Sequence, residues 1–394
     1  MKHLTVDWDK LISTDELPKC TPEGFASQKG CSRHVIYPDY SVPLDDVWSS
    51  SFGINIPWIL RHASTSIATP SNARSSALRP PGNTDLCCLS DVSVFSPAHA
   101  VYLHSEQRIL FPRTTQVLKS GLDATDKVDD RLYYSIFFYE KMLYIDDPVF
   151  LFSSKWSSNN YYHWIIDCVP KILHFKRLLT LFPNLKLLLL EDNDKPYHCD
   201  FLAFHGIGTE QIVRARHNSV YANKLFYMSR IGPDSHSPDL NKELAKALIP
   251  MKSMTSDTPR RIYIARRKGT ERSIQNSVQL QLLLEKLGFC TIFMENYSLA
   301  QQIAIVADAE VILGPHGAGL TLTSVGFPDI SRKFIIELTH TEPLNPCFFF
   351  NSLANGSLNH VLLPSRKVIC NSISLIDVDL QLFEAVVSEV LFAL

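Results

Sequence analysis

Hydrophobic and polar positions along the chain fall into three regimes. Residues 1 to about 98 carry no sustained period and are rich in Ser, Pro and Asp, with SNARSSALRPPGN at 71–83 a loop by composition. They read as an irregular N-terminal extension packing on the first domain, and strands are expected only from AVYLHSEQRILFP onward. In the second regime, DPVFLFSS, LKLLLLE, QIVRA and LFYMSR are apolar runs of strand length. LKLLLLE has the continuous apolarity of a strand buried on both faces. Between them, Tyr161, Ile165, Cys168, Ile172, Phe175 and Leu179 keep helical spacing, which predicts a helix from about Asn160 to Leu181 capped from Ser157, Ser158 or Asn159. A shorter helix is expected near DFLAFHGI.

The third regime is the most regular. RIYIAR, FCTIFM, EVILG, KFIIEL and HVLLP read as strands. Leu280, Leu283, Leu284 and Leu287 form a helical stripe closed by Gly288, and Ser298 with Gln301 forms a capping box. A helix is expected to start within HGAGLT, and a last one to carry Ile376, Leu380, Phe383, Val387 and Val390. Alternation of strands and helices predicts an α/β fold with parallel sheets. Turn-rich RIGPDSHSPDL and MKSMTSDTPR mark the linker. The predicted domains are therefore 1–98, 99–255 and 256–394, the last two Rossmann-like.

Composition narrows the function only slightly. A chain of 394 residues with 38 Lys+Arg against 40 Asp+Glu has no global charge for nucleic acid, so no nucleic-acid partner is expected. Nine cysteines form no C-x-x-C pair, which argues against a zinc site and fits a reducing compartment. Cys168 and Cys290, in apolar runs, read as buried thiols, and Cys87-Cys88 as ordinary loop thiols. MKHLTVDWDK lacks the apolar core of a signal peptide, and no apolar stretch reaches about 18 residues.

Chemistry concentrates in three places. In VILGPHGAGLT a strand stops at Gly314 and a helix begins near Gly317, an arrangement that attracts phosphate to Gly314, Gly317, Ala318, Gly319 and Leu320. The spacing is G-x-x-G-x-G and follows the third strand of its half, unlike the dinucleotide fingerprint. His316 stands beside it, to donate to a phosphate, to contact a sugar or only to shape the loop. Arg260, Arg261, Arg266, Arg267, Lys268 and Arg272 lie within thirteen residues. Arg266 and Arg272 are the phosphate candidates, because a guanidinium fork suits diphosphate; Arg260, Arg261 and Lys268 read as solvated. Glu337, at a strand end, is placed to accept ribose hydroxyls. In NNYYHWIIDCVPKILHF, His163, Asp167, Pro170 and His174 share one helix face. His163 and Asp167 can pair, either as an ordinary helix-face hydrogen bond or as a general base, and Pro170 is expected to kink the helix. Asp192-Asn-Asp194 raises a metal site, but D-x-D recurs at Asp7 and Asp377, and no metal is expected.

Taken in order, NNYYHWIIDCVPKI, RRIYIARR with ERSIQN, ENYSLAQQIAIVADAEVILGPHGAGLT and FIIEL resemble glycosyltransferase family 61. The resemblance spans about residues 150 to 390. It implies a GT-B fold, with two Rossmann-like domains facing a cleft. It also implies inverting, metal-independent transfer of a hexosyl or pentosyl group from a nucleotide sugar, often UDP-linked, to a glycan hydroxyl. Carried over by motif, the donor-binding positions are Arg266, Gly314 to Gly319 and Glu337, and the N-domain His and Asp are His163 and Asp167. No cofactor beyond the donor co-substrate is implied. Relatives that enter the secretory pathway carry a leader, and MKHLTVDWDK does not resemble one. The expectation is therefore a polysaccharide enzyme on the cytoplasmic side, with room for peripheral membrane association.

Overall fold

The computed structural model describes residues 2–7, 11–13, 17–27, 30–37, 84–96, 99–111, 127–128, 131–154, 156–229, 238–254, 258–340, 347–357 and 359–394. The loop expected at 71–83 and most of the first linker stretch lie outside them. The chain divides into two compact units. One is built from residues within 1–40 and 79–235, the other from residues within 236–394.

The first unit holds strands β1 (Lys2–Asp7), β2 (Leu11–Ser13), β3 (Ser32–Tyr37), β4 (Thr84–Phe95), β5 (Ala100–Leu103), β6 (Arg108–Phe111), β7 (Lys127–Val128), β8 (Arg131–Phe138), β9 (Met142–Ile145), β10 (Val149–Leu151), β11 (Lys186–Leu189), β12 (Ile212–Arg214) and β13 (Ser219–Met228). Its large sheet runs β12-β11-β10-β13-β4-β5-β6-β2. The first four are parallel neighbours. Numbered along the chain from β10, their order is 3-2-1-4, as in half of a doubly wound sheet. Helices α1 (Lys171–Leu181) and α2 (Pro196–Phe204) connect them.

Beyond β13 the sheet turns antiparallel through β4, β5 and β6, β4 pairing with β13 along most of its length, and β2 then joins parallel to β6. The expectation of irregular chain up to residue 98 is corrected here. β4 escaped notice because it is buried on nearly every position and so does not alternate. It also hides a charge: Asp85, fully buried, receives Arg33 Nη1 at 3.0 Å. Cys87 and Cys88 sit in this strand, not in a loop, and burial drives their thiols up, that of Cys88 to about 12.

The second unit holds α3 (Pro238–Leu248), β14 (Arg261–Ile264), α4 (Ser277–Lys286), β15 (Cys290–Ile292), α5 (Leu299–Asp308), β16 (Val311–Pro315), β17 (Phe334–His340), α6 (Cys347–Ala354), β18 (His360–Cys370), β19 (Ile373–Asp377) and α7 (Leu380–Phe392). The sheet order is β15-β14-β16-β17-β18-β19, parallel except for the last pair. Counted from β14 this is 2-1-3-4-5-6. It is the second common doubly wound order, not the 3-2-1-4-5-6 of the dinucleotide fold. Leu280 and Leu284 of α4 and Phe383, Val386, Val387 and Val390 of α7 build one core with Ile336 and Leu338.

Several local signals act as expected. The Ser298 hydroxyl accepts from the Gln301 amide while Gln301 returns to the Ser298 amide at 2.9 Å. Gly288 ends α4 with φ +76°. Two expectations are corrected. Ile376 belongs to strand β19, so the last helix starts at Leu380. Cys290 is exposed, because it opens edge strand β15 and not an inner one.

The Asp379 carboxylate accepts from the Gln381 and Leu382 amides at 3.0 and 3.1 Å, capping α7. Replacing Asp379 with Ala should lower stability by about 1 kcal/mol, read as a reduced urea midpoint at unchanged slope. An unchanged midpoint would show that the cap contributes nothing.

Candidate active site

In the second unit the sheet order reverses between β14 and β16, and ligands of wound sheets bind where the carboxyl ends of such strands part. Arg266 follows β14 there, and His316 to Gly319 follow β16. Arg272 lies on the same loop as Arg266. Its backbone is left-handed, φ +63°, and its amide donates to Ser374 O at 2.6 Å. The basic run separates into paired and unpaired residues. Arg260 pairs with Glu310 and Arg267 with Glu295, while Arg261 donates to Leu287 O at 3.2 Å. Arg266 and Arg272 have no ion pair among the described residues, and the Nε of each is buried without a hydrogen bond.

The two guanidinium groups converge on Gly317. A Cβ at Gly317 would overlap Arg266 Nη1 and stand 3.6 Å from Arg272 Nη2, and its φ of +150° suits only glycine. Burial and then the Arg272 cation lower the pKa of Arg266, which still stays charged. Two half-buried cations without a counter-ion form a site for an anion.

The other two glycines also answer a packing need. A Cβ at Gly314 would lie 3.1 Å from Ile264 O, and one at Gly319 would lie 2.8 Å from Ile264 Cγ2. Both let β16 and the following turn close on β14. Gly314 and Leu320 are buried in protein, whereas Ala318 and Gly319 keep partial exposure. The turn leads into a 3₁₀ helix, Ala318–Ser324, whose first hydrogen bond is Leu320 N to Gly317 O at 2.9 Å. The Ala318 and Gly319 amides precede that bond. Pro315 ends β16 inside the sheet, opposite Leu338.

Glu337 is corrected more sharply. Its side chain has no exposure, and both oxygens are taken. Oε1 accepts from His316 Nδ1, and Oε2 from His360 Nε2 at 3.0 Å. His360 Nδ1 meets Ser352 Oγ at 2.7 Å. Glu337 therefore cannot take ribose hydroxyls. Burial pushes its carboxyl up, but His316 and then His360 outweigh burial and bring it down to about 2. With Nδ1 held, His316 presents Nε2 as its remaining nitrogen. His360 and Ser352 gave no signal in the sequence, since each is read only through its contact.

In the first unit, His163 and Asp167 do pair, Nδ1 to Oδ2 at 2.9 Å. The cap is Asn160, which accepts from the Tyr162 amide at 3.0 Å, not the residues before it. Trp164–Cys168 is a π-helical turn, closed by Val169 N to Trp164 O at 3.1 Å. Pro170 follows directly. The missing N–H of Pro170 is thus met by a widened turn, a feature common at functional sites. His163 packs on Trp156, ring centroids 4.8 Å apart, with its side chain 14% exposed. Asp167 is buried, and its Oδ1 has no hydrogen bond. Lys171 lies buried one turn on, donating to Phe152 O at 2.9 Å; burial lowers its pKa, and Cys168 and Asp167 oppose that.

Asp192 makes only a long, exposed contact with Arg216, 3.9 Å. Among the described residues no three His, Cys, Asp or Glu side chains gather as a metal site would, and no helix is long and apolar enough to cross a membrane. None of the nine cysteines is in a disulfide.

Residues 161–325 match the family model described as Glycosyltransferase 61. The match takes in His163, Asp167, Arg266, Arg272 and Gly314 to Leu320, and stops short of Glu337. Comparison with curated proteins gives no match.

The His316–Glu337–His360 cluster makes a pH-dependent prediction. A carboxyl lowered from 4.5 to about 2 contributes stability that is complete above 4.5 and lost as pH falls toward 2. Glu337→Gln should cost roughly 3 kcal/mol at pH 7, and the difference from wild type should shrink between pH 4.5 and 2. A cost that stays constant across that window in denaturant titrations would remove the charge from the explanation.

Proposed function

We propose that this chain, a member of glycosyltransferase family 61 by its match, is an inverting, metal-independent glycosyltransferase of GT-B type. The second unit binds the diphosphate of a nucleotide sugar, UDP-linked, and the first supplies the base. The observation that carries this reading is the unpaired pair Arg266 and Arg272 against Gly317. Nothing else described in the chain offers two half-buried cations without a carboxylate. The strand order of the second unit and its G-x-x-G-x-G spacing disfavour a dinucleotide oxidoreductase. Cysteines outside disulfides suit a reducing, cytoplasmic setting.

The step is a single displacement. A glycan hydroxyl attacks the anomeric carbon, its oxygen forms the new bond, and the bond from that carbon to the diphosphate oxygen breaks. The hydroxyl proton passes to the His163–Asp167 pair. The diphosphate leaves with the bonding electrons, and Arg266, Arg272 and the Ala318 and Gly319 amides take up the charge that a metal ion would otherwise neutralise. His316, fixed by Glu337, stands on the donor side. The transferred group is a hexosyl or pentosyl unit.

Arg266→Ala should lower transfer from the donor roughly 100-fold in kcat/KM, with Arg266→Lys restoring only part because an ammonium cannot grip diphosphate with two parallel bonds. Unchanged turnover would take Arg266 out of the site. Asp167→Asn should reduce kcat by about 100-fold or more while donor affinity holds. Calorimetry with UDP and NAD separates the oxidoreductase reading: binding of NAD without binding of UDP would sink the proposal.

A further inference from the structure

His340, the last residue of β17, was not anticipated from the sequence and has no part in the mechanism above. Its ring is anchored on one side only. Nε2 meets Ser374 Oγ at 3.1 Å, while Nδ1 is buried without a hydrogen-bond partner. Ser374 also accepts the Arg272 amide through its carbonyl and donates its own amide to Glu271 Oε2 at 3.2 Å. One residue of β19 therefore fixes both Arg272 and His340. Among the described residues, the charged and titratable groups that act on the imidazole are Lys367 from β18, Arg272 and Glu271 from the loop after β14, and His316 from the turn after β16. Burial, then Lys367, Arg272 and His316, hold His340 in its neutral form; Glu271 opposes them weakly.

A neutral imidazole with a spare buried nitrogen among cations is an incomplete anion ligand. We propose that His340 binds the same donor diphosphate as Arg266 and Arg272, and that it takes up a proton as that anion enters. This rests on the diphosphate reading of the site. The arriving negative charge reverses the balance that keeps the ring neutral, and the cationic ring then donates to a phosphate oxygen. Donor binding becomes coupled to pH, tighter on the acid side and weaker as pH rises past the value of the complex.

Titration calorimetry with UDP, and separately with inorganic pyrophosphate, tests this in two buffers of different ionisation enthalpy at pH 7.5. Both ligands exchange protons of their own, so the wild type is read against His340→Gln and should take up more protons than that variant with either ligand. His340→Gln should lose most of that uptake and bind UDP about tenfold more weakly at pH 6.5, with a smaller loss at pH 8.5. Lys367→Met, an exposed substitution independent of the His340 fold, should move the pH midpoint of uptake upward by removing a competing cation. Equal proton exchange in wild type and His340→Gln, or a midpoint unmoved by Lys367→Met, would each overturn the role of His340 alone. Failure of the wild type to bind either ligand would overturn the diphosphate site itself and this inference with it.

Discussion

Repulsion between Arg266 and Arg272 is the constraint around which the second unit is arranged. Both guanidinium groups come up against Gly317, and like charges brought together in partly buried surroundings repel. No carboxylate pairs with either one among the described residues, although Glu271 and Glu295 act on Arg266 through space. The surrounding structure has to hold them. Arg272 is pinned in a left-handed conformation by Ser374 O, and the next turn is tied down by Gln275 N to Ile376 O at 2.7 Å. Gly317 gives up its side chain so that both guanidinium groups fit. Each device holds the two charges in place without a carboxylate partner among the described residues.

The same constraint explains why Glu337 is sealed away. A free carboxylate near the two arginines would pair with them and close the site to ligands. Glu337 spends both oxygens on His316 and His360, so it steadies an imidazole without competing for the guanidinium groups. Its position at the end of a buried strand made a ribose contact reasonable from sequence. The contradiction comes from a partner 23 residues later in the chain, which no local pattern reveals.

What the sequence disclosed was local, and what it hid was tertiary. The Ser298 box, the Gly288 stop and the leucine stripe of α4 depend on neighbours within four residues, and each is present. The arginine cluster was visible as a cluster, but only the fold sorted Arg260 and Arg267 into ion pairs and left Arg266 and Arg272 without them. Three glycines suggested one cradle. Two of them also accommodate Ile264, 50 and 55 positions earlier, whose approach depends on strand order. β4 was missed because burial on both faces erases alternation, and its one buried ion pair placed polar letters where apolar ones were expected. His340 was silent because its neighbours arrive from elsewhere in the chain: β18, β19, the loop after β14 and the turn after β16.

The two imidazole–carboxylate pairs are built alike but set differently. Both use Nδ1 toward the carboxylate, which fixes the ring and leaves Nε2 outward. Both oxygens of Glu337 have a histidine partner, His316 on one and His360 on the other. Asp167 keeps Oδ1 without a partner, and it sits in a widened turn that Pro170 imposes, since a tighter turn would need the amide that proline lacks. In both pairs the imidazole Nε2 is the nitrogen that is not held by the carboxylate. The two pairs thus differ in their surroundings, one set in a widened turn before Pro170 and the other closed between two histidines.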